Sequence, residues 1–233
     1  LSKKLMVALL IITIGITNGL LVGIQKIKQS AKQSFSYSLS DTDLIVGSKS
    51  GDIQLLLYTV FRIGQPTANM SWNSFKEIKN LKQTSWVIPL SLGDSHKGYA
   101  VLGTSKDYFE YYKYGNKKKL ALLKGKAFED PFDIVLGYEV AKKLNYNLKQ
   151  SLYLSHGIAQ SPLSLHKNRR FNVVGILKKT STRVDKTLHI SLEGMTALHL
   201  PDKKTTNLNF KTNLEPKSIT GCLIGLKSKF SIF

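Results

Sequence analysis

The sequence predicts an α+β protein in which an N-terminal transmembrane helix precedes a mixed-sheet domain outside the cytoplasm. The first observation behind this prediction is an uncharged apolar run from Leu5 to Ile24. The second is the alternation of short strand-like and helix-like runs beyond Asp41, without the long regular crossovers of a doubly wound parallel sheet. A chain of 233 residues is long enough for one large domain or two small ones.

The apolar run has the length of a membrane-spanning helix, since about 20 residues at about 1.5 Å each cover a hydrocarbon core of roughly 30 Å. A secretory signal peptide is the alternative, but its apolar region covers only about 7 to 15 residues before a small-x-small cleavage site. No such site closes this run. Lysines flank both ends, so local charge does not fix the orientation, yet long C-terminal domains are exported despite their charge. Both interpretations place the remainder outside the cytoplasm.

Three glycines within the apolar run, Gly15, Gly19 and Gly23, stand four residues apart. At this spacing they line one helix face, and their small size lets another helix approach closely. Glycine is also simply frequent in membrane helices. We predict that this face packs against partner helices.

Residues 25–41 are rich in Gln, Ser and Lys, with Ile24, Ile27, Ala31 and Phe35 at helical spacing. Residues 1–24 are the predicted membrane helix, and residues 25–41 are predicted to continue it as a stalk. The first strand follows at 44–46.

The next segments predict a helix, followed by a hairpin or a longer strand connection. Residues 52–61 are apolar on all sides and fit either a buried helix or a strand. Ser74 and Glu77 have capping-box spacing and predict a helix over 74–82. Other predicted elements are strands at 86–90 and 98–102 joined by turn-like residues 93–97, strands at 134–136, 152–154, 171–177, 188–190 and 222–226, helices at 140–144 and 191–199, and a loop at 155–170.

The net charge of +19 raises the question of a nucleic-acid partner. All but four of the 34 basic residues are Lys, whereas bidentate recognition of phosphates and bases favours Arg. The run Lys117–Lys119 follows the aromatic segment 108–114, which could form a stacking platform for single strands. No nucleic-acid-binding motif accompanies it, so we interpret it as a charged turn and expect no nucleic-acid partner.

The chain carries no pattern that predicts an active site, a cofactor or a metal. Gly125-Lys126 lacks the remainder of a phosphate-binding loop. Ser155 and His156 are adjacent on a predicted strand and point to opposite faces, so they cannot pair as nucleophile and base. The histidines lack ligands at zinc-motif spacing, and the lone Cys222 excludes an intramolecular disulfide. We expect a protein that is not an enzyme.

One acidic cluster leaves two interpretations open. Glu129, Asp130 and Asp133 surround Pro131 and could hold a cation. A solvated turn is the ordinary alternative.

Four segments carry a family resemblance: TDLIVGSKSGDIQLLLYTVFRIGQPTANMSW at 42–72, DIVLGYEVAKKLNYNLKQSLYLSHG at 133–157, FNVVGILKKTSTRVDKTLHISLEGMTALH at 171–199 and CLIGLKS at 222–228. In this order behind a first membrane helix, they resemble MacB-type, FtsX-like ABC transporter permeases. The resemblance implies a permease subunit in the cell inner membrane that has four membrane helices and a large periplasmic domain between the first two. Because the sequence holds only the first, we expect a fragment or a truncated form.

The resemblance also implies an organisation and a set of partners. A periplasmic core domain would occupy 42–233, with a subdomain at about 86–169 inserted between 42–85 and 170–233. Expected partners are a cytoplasmic ABC ATPase subunit, a second permease copy and a periplasmic or outer-membrane protein. The domain would transmit ATP-driven motion to export or extract a substrate. The alternative function is a single-span ligand-binding or sensor protein without an ATPase.

Overall fold

The computed structural model describes residues 2–49, 51–64, 66–156, 165–200 and 214–228. It divides into two units, residues 1–37 and 38–233. Within the described part, the helices are α1 (Lys3–Ser38), α2 (Asp52–Thr59), α3 (Trp72–Lys79), α4 (Asp107–Tyr111), α5 (Tyr138–Lys143) and α6 (Leu192–Leu198). The strands are β1 (Leu44–Gly47), β2 (Met70–Ser71), β3 (Thr84–His96), β4 (Tyr99–Thr104), β5 (Lys113–Tyr114), β6 (Lys118–Lys119), β7 (Leu122–Gly125), β8 (Asp133–Leu136), β9 (Ser151–His156), β10 (Leu165–Leu177), β11 (Thr187–Ser191), β12 (Ser218–Ile219) and β13 (Gly221–Leu226).

The first unit consists of helix α1, which contains the predicted apolar run. Its apolar window has a mean hydropathy of 2.4, and among the described residues it is the one helix long and apolar enough to cross a membrane. Its polar side chains satisfy themselves locally, since Thr13 and Thr17 donate to the carbonyls of Leu9 and Thr13 at 2.8 Å. Such back-bonding keeps a hydroxyl compatible with an apolar surrounding.

The second unit is built on a mixed sheet, which confirms the predicted α+β class. Nine strands of the described part form it in the order β1-β13-β3-β4-β11-β8-β10-β7, with β9 pairing to both β10 and β3. The pairs β10–β8 and β11–β4 are parallel, whereas the remaining pairs are antiparallel. The central strands β8 and β11 are buried along their whole length, including the polar residues Asp133 and His189.

Two apolar clusters stabilise the sheet within the described residues. The larger lies around Ile134, Phe171 and Leu188, all fully buried, and packs helix α5 and the end of α6 against the sheet. The smaller joins distant parts of the chain, because Met70 and Phe75 pack with Cys222 and Ile224. Burial raises the pKa of the Cys222 thiol to about 12, which keeps it protonated and unreactive at neutral pH.

Several predicted boundaries were wrong for identifiable reasons. Helix α3 begins at Trp72 and ends at Lys79, because the Ser71 hydroxyl, not that of Ser74, accepts the capping hydrogen bond from the Ser74 amide at 3.0 Å. Segment 52–61 fitted either a helix or a strand, and its residues Asp52–Thr59 form helix α2.

The predicted hairpin is confirmed, but its turn lies later than residues 93–97. Strand β3 continues to His96 through an irregularity between Leu92 and Ser95, where Gly93 adopts a φ of 151°. A bulge of this kind absorbs an extra residue without ending the strand. The predicted loop at 155–170 is strand at both ends, in β9 and β10, and its residues 157–164 lie outside the described part.

His189 lies on buried strand β11, and this position makes stability depend on pH. Burial foremost, together with the Arg62 charge, lowers the pKa of His189 to about 3, although a hydrogen bond with the Val135 carbonyl opposes the shift. Unfolding restores an ordinary pKa near 6.5, so the unfolded chain binds a proton that the folded chain excludes. The contribution of neutral His189 to stability is therefore fully present above pH 6.5 and is lost as the pH falls toward 3.

We expect the free energy of unfolding to fall between pH 6.5 and 5 by up to about 1.4 kcal/mol per pH unit for this group. Denaturant unfolding of the His189→Leu variant should show a smaller slope over the same interval. An unchanged slope in the variant would mean that His189 does not exclude the proton.

Candidate functional site

Residues 38–43, from the end of α1 to the start of β1, form hydrogen bonds with another segment of the second unit. Ser38 is the last residue of α1, and its carbonyl accepts a hydrogen bond from the Tyr112 hydroxyl at 2.5 Å. The Ser40 amide donates to the Lys113 carbonyl at 3.0 Å, and the Ser40 hydroxyl accepts from the Lys117 amide at 3.2 Å. We call residues 38–43 and their partners in 112–117 the junction.

Asp41 is the charged centre of the junction. Its carboxylate contacts the ammonium groups of Lys113 at 2.5 Å and Lys117 at 2.8 Å. The hydrogen bonds from these two lysines, Lys113 foremost, lower the pKa of Asp41 to about 2. The carboxylate is therefore ionised throughout the neutral range. Asp41 also adopts a left-handed φ of 70°, a conformation that Asp tolerates better than most residues.

Asp43 ties the same segment to the sheet. Its amide donates to the Ile224 carbonyl at 3.0 Å, and its carboxylate accepts from the Leu226 amide at 2.8 Å. Strand β13, which holds both partners, lies between β1 and β3. The chain leaving Ser38 is therefore bonded both to the segment after α4 and to the sheet.

The partner segment 112–117 is itself firmly supported. Tyr112 is 4% exposed, and its ring packs on Tyr108 with centroids 4.8 Å apart. Tyr108 is fully buried, and its ring packs on the ring of His189 with centroids 5.3 Å apart. Burial raises the pKa of both tyrosines, so each stays protonated and Tyr112 keeps its donated hydrogen. Packed rings therefore connect the hydrogen-bond partner of Ser38 to strand β11.

Hydrogen bonds and ion pairs fix the junction to the core of the second unit. Short charged and neutral hydrogen bonds connect a helix end to a close-packed core, and packed interiors transmit displacement because they have low compressibility. The sequence interpretation missed this site. Asp41 was used only as the end of the stalk, and Lys117 only as part of a charged turn. Asp41 meets Lys113 across 72 positions of the chain, and Lys117 lies further along still, a pairing for which a single sequence gives no signal.

The predicted packing residues Gly15, Gly19 and Gly23 lie on α1 in the first unit. A Cβ added at any of them would meet nothing within 4 Å. Their face is open, and its packing on partner helices stays a prediction.

The acidic cluster has a structural role within the described residues. The Asp133 carboxylate accepts hydrogen bonds from the amides of Glu129 and Asp130, both at 3.0 Å, and Glu129 pairs with Lys126. No group of three potential metal ligands occurs in the part of the chain that the structure describes. This arrangement favours the turn interpretation over a cation site.

The described histidine side chains each have partners of their own. His96 bonds to the Tyr153 carbonyl and the Tyr146 hydroxyl, and burial lowers its pKa. His199 contacts the Asp94 carboxylate at 3.5 Å. The side chains of His156 and His166 lie outside the described part, and the Ser155 hydroxyl donates to the Ser95 carbonyl at 3.2 Å.

The solved structures that are similar to this chain include three of low identity. The periplasmic region of MacB from Actinobacillus actinomycetemcomitans is 14% identical with a TM-score of 0.49, over 82% of this chain and 77% of that one. The extracellular domain of the noncanonic ABC-type transporter YknZ from Gram-positive bacteria is 12% identical (TM-score 0.44; 71% and 78%). A domain of a putative permease protein from Porphyromonas gingivalis is 11% identical (TM-score 0.42; 82% and 76%).

Comparison with curated proteins finds no match. Comparison with protein families gives the stronger result. The profile of the MacB-like periplasmic core domain matches residues 6–219, which include the apolar helix and most of the mixed sheet. The chain therefore belongs to the family of MacB-like periplasmic core domains, found in ABC-type transporter permeases.

Proposed function

We propose that this chain acts within an ABC transporter permease by transmitting ATP-driven motion of its membrane helix to its periplasmic domain, so that a substrate is exported or extracted. Family membership is the observation that carries the proposal. The apolar helix α1 and the bonds from Ser38 and Asp41 to the domain support it.

The proposal includes a location and partners. Helix α1 would span the cell inner membrane, with the second unit in the periplasm. A cytoplasmic ABC ATPase subunit would supply the energy, since the chain carries no phosphate-binding loop. A second permease copy and a periplasmic or outer-membrane protein would complete the assembly.

We also propose that residues 42–85 and 170–233 form one subdomain around an inserted subdomain at about 86–169. Pairing of β1 with β13 supports it, as does the cluster that joins Phe75 to Ile224. Residues 25–41 would act as the stalk.

The test is an insertion of two glycines after Gln33 in the complete transporter, reconstituted with its ATPase in vesicles. Glycines lower helix stability by about 1 kcal/mol each and would break the stalk between the membrane and the junction. We expect ATP hydrolysis to continue while export per ATP falls at least about tenfold. The matched control inserts two glycines in the turn at Lys97–Gly98, which should leave the ratio unchanged.

Normal coupling after the stalk insertion would refute mechanical transmission. Failure of any ATPase to copurify with the complete protein would instead favour the single-span ligand-binding or sensor function.

The glycine face of α1 provides a second test. Replacing Gly19 with Leu adds a bulky side chain to the face that holds Gly15 and Gly23, and close helix approach depends on small residues there. We expect the variant to associate more weakly in a membrane association assay, whereas Leu20→Ala on another face should have little effect. Unchanged association of the Gly19 variant would show that this face does not pack.

A further inference from the structure

A cavity of about 520 Å³ lies on the second unit between β3, α6 and residues 215–218. Its volume is within the range of about 300–1,000 Å³ that small-molecule sites occupy. It is separate from the junction, since no junction residue lines it. The bulge of β3 shapes one side, because Leu92 and Gly93 at this irregularity both face the cavity.

One wall of the cavity is apolar and well supported. Leu192 and Met195 of α6 are 5% and 6% exposed, so their positions are fixed by packing. Leu92 and Pro216 add further apolar lining. This surface would bury the hydrocarbon part of a ligand, at roughly 25 cal/mol for each Å² removed from water.

The charges around the cavity leave one cation without a carboxylate. Glu215 is bound by the Lys76 ammonium at 2.5 Å and by the Trp72 indole at 2.8 Å, and these bonds lower its pKa. His199 lies against the buried Asp94 carboxylate. Lys217 lines the cavity and has no ion pair among the residues that the structure describes. An anionic group would therefore be favoured beside Lys217.

We propose that this cavity binds a small amphiphilic carboxylate, with its carboxylate beside Lys217 and its hydrocarbon chain against Leu192 and Met195. Thr196 of α6 also lines the cavity, so its side chain would lie beside the ligand. The proposal stands independently of transport, because it uses neither the junction nor the membrane helix.

The test measures binding of decanoate and of decanol to the full chain in nanodiscs by tryptophan fluorescence. Trp72 reports on the cavity through its hydrogen bond to Glu215, and Trp86→Phe leaves it as the only tryptophan of the chain. We expect a saturable change with decanoate. In this background, Lys217→Gln should raise the Kd for decanoate about tenfold, the loss of one charge-assisted hydrogen bond, without changing that for decanol.

Two further variants make the result decisive. Thr196→Phe places a ring in the cavity and should abolish binding of both ligands. Lys124→Gln, an exposed lysine on β7 outside the cavity, should change neither. The proposal is overturned by the absence of a saturable signal, by equal effects of Lys217→Gln on decanoate and decanol, or by unchanged binding in Thr196→Phe.

Discussion

The Asp185→Ala variant is expected to lose about 4 kcal/mol of its free energy of unfolding. Asp185 is fully buried, and its carboxylate accepts from the Thr180 amide at 2.8 Å, the Thr180 hydroxyl at 2.9 Å and the Ser181 amide at 2.8 Å. Alanine leaves the Thr180 and Ser181 amides without an acceptor, whereas the Thr180 hydroxyl keeps the Thr182 hydroxyl as a partner. Each unsatisfied buried group costs about 1–3 kcal/mol. The lost contacts hold the turn between β10 and β11.

Chemical denaturation measures this loss, and two controls separate its causes. Asp185→Asn keeps an acceptor oxygen and should lose less than half as much. Asp52→Ala, at the exposed start of α2, should change the free energy by no more than about 0.5 kcal/mol. A loss below 1 kcal/mol for Asp185→Ala would mean that the turn does not depend on this carboxylate.

Reversal of both lysines at the junction should uncouple the complete transporter. In the variant Lys113→Glu with Lys117→Glu, two carboxylates would face Asp41 where two ammonium groups now lie within 2.8 Å. Attraction becomes repulsion, and the chain after Ser38 separates from segment 112–117. We expect export per ATP to fall at least about fivefold while ATP hydrolysis continues.

The control reverses two exposed lysines outside the junction, Lys124→Glu on β7 with Lys142→Glu on α5, and should leave coupling unchanged. Coupling equal to wild type in the junction variant would show that the ion cluster does not contribute to coupling. Equal losses in both variants would attribute the effect to net charge.

Local sequence patterns predicted those elements that local physics determines. The apolar run gave α1, and buried runs such as 134–136 and 188–190 gave strands whose side chains are buried. Element ends were less predictable because neighbouring residues compete for the same role. Ser71 and Ser74 both had capping chemistry, and the structure selects Ser71.

Arrangement and site could not be predicted in the same way. The sheet places β13 between β1 and β3, a pairing that depends on the packing of Cys222 and Ile224 rather than on any local signal. The junction has the same origin, because Asp41 meets Lys113 only after the sheet has formed. An exposed carboxylate and a lysine-rich run each had a sufficient explanation as solvated surface.

The most direct measurement of the central claim is export per ATP in a mutant cycle at the junction. The cycle compares wild type, Lys113→Glu with Lys117→Glu, Asp41→Asn, and the combination of all three. Asparagine tolerates the left-handed conformation at position 41, so it removes the charge alone. If the junction transmits motion through this ion cluster, the triple variant should couple better than the lysine double variant, because the repulsion is gone. A triple variant that couples no better, or worse, would contradict the account.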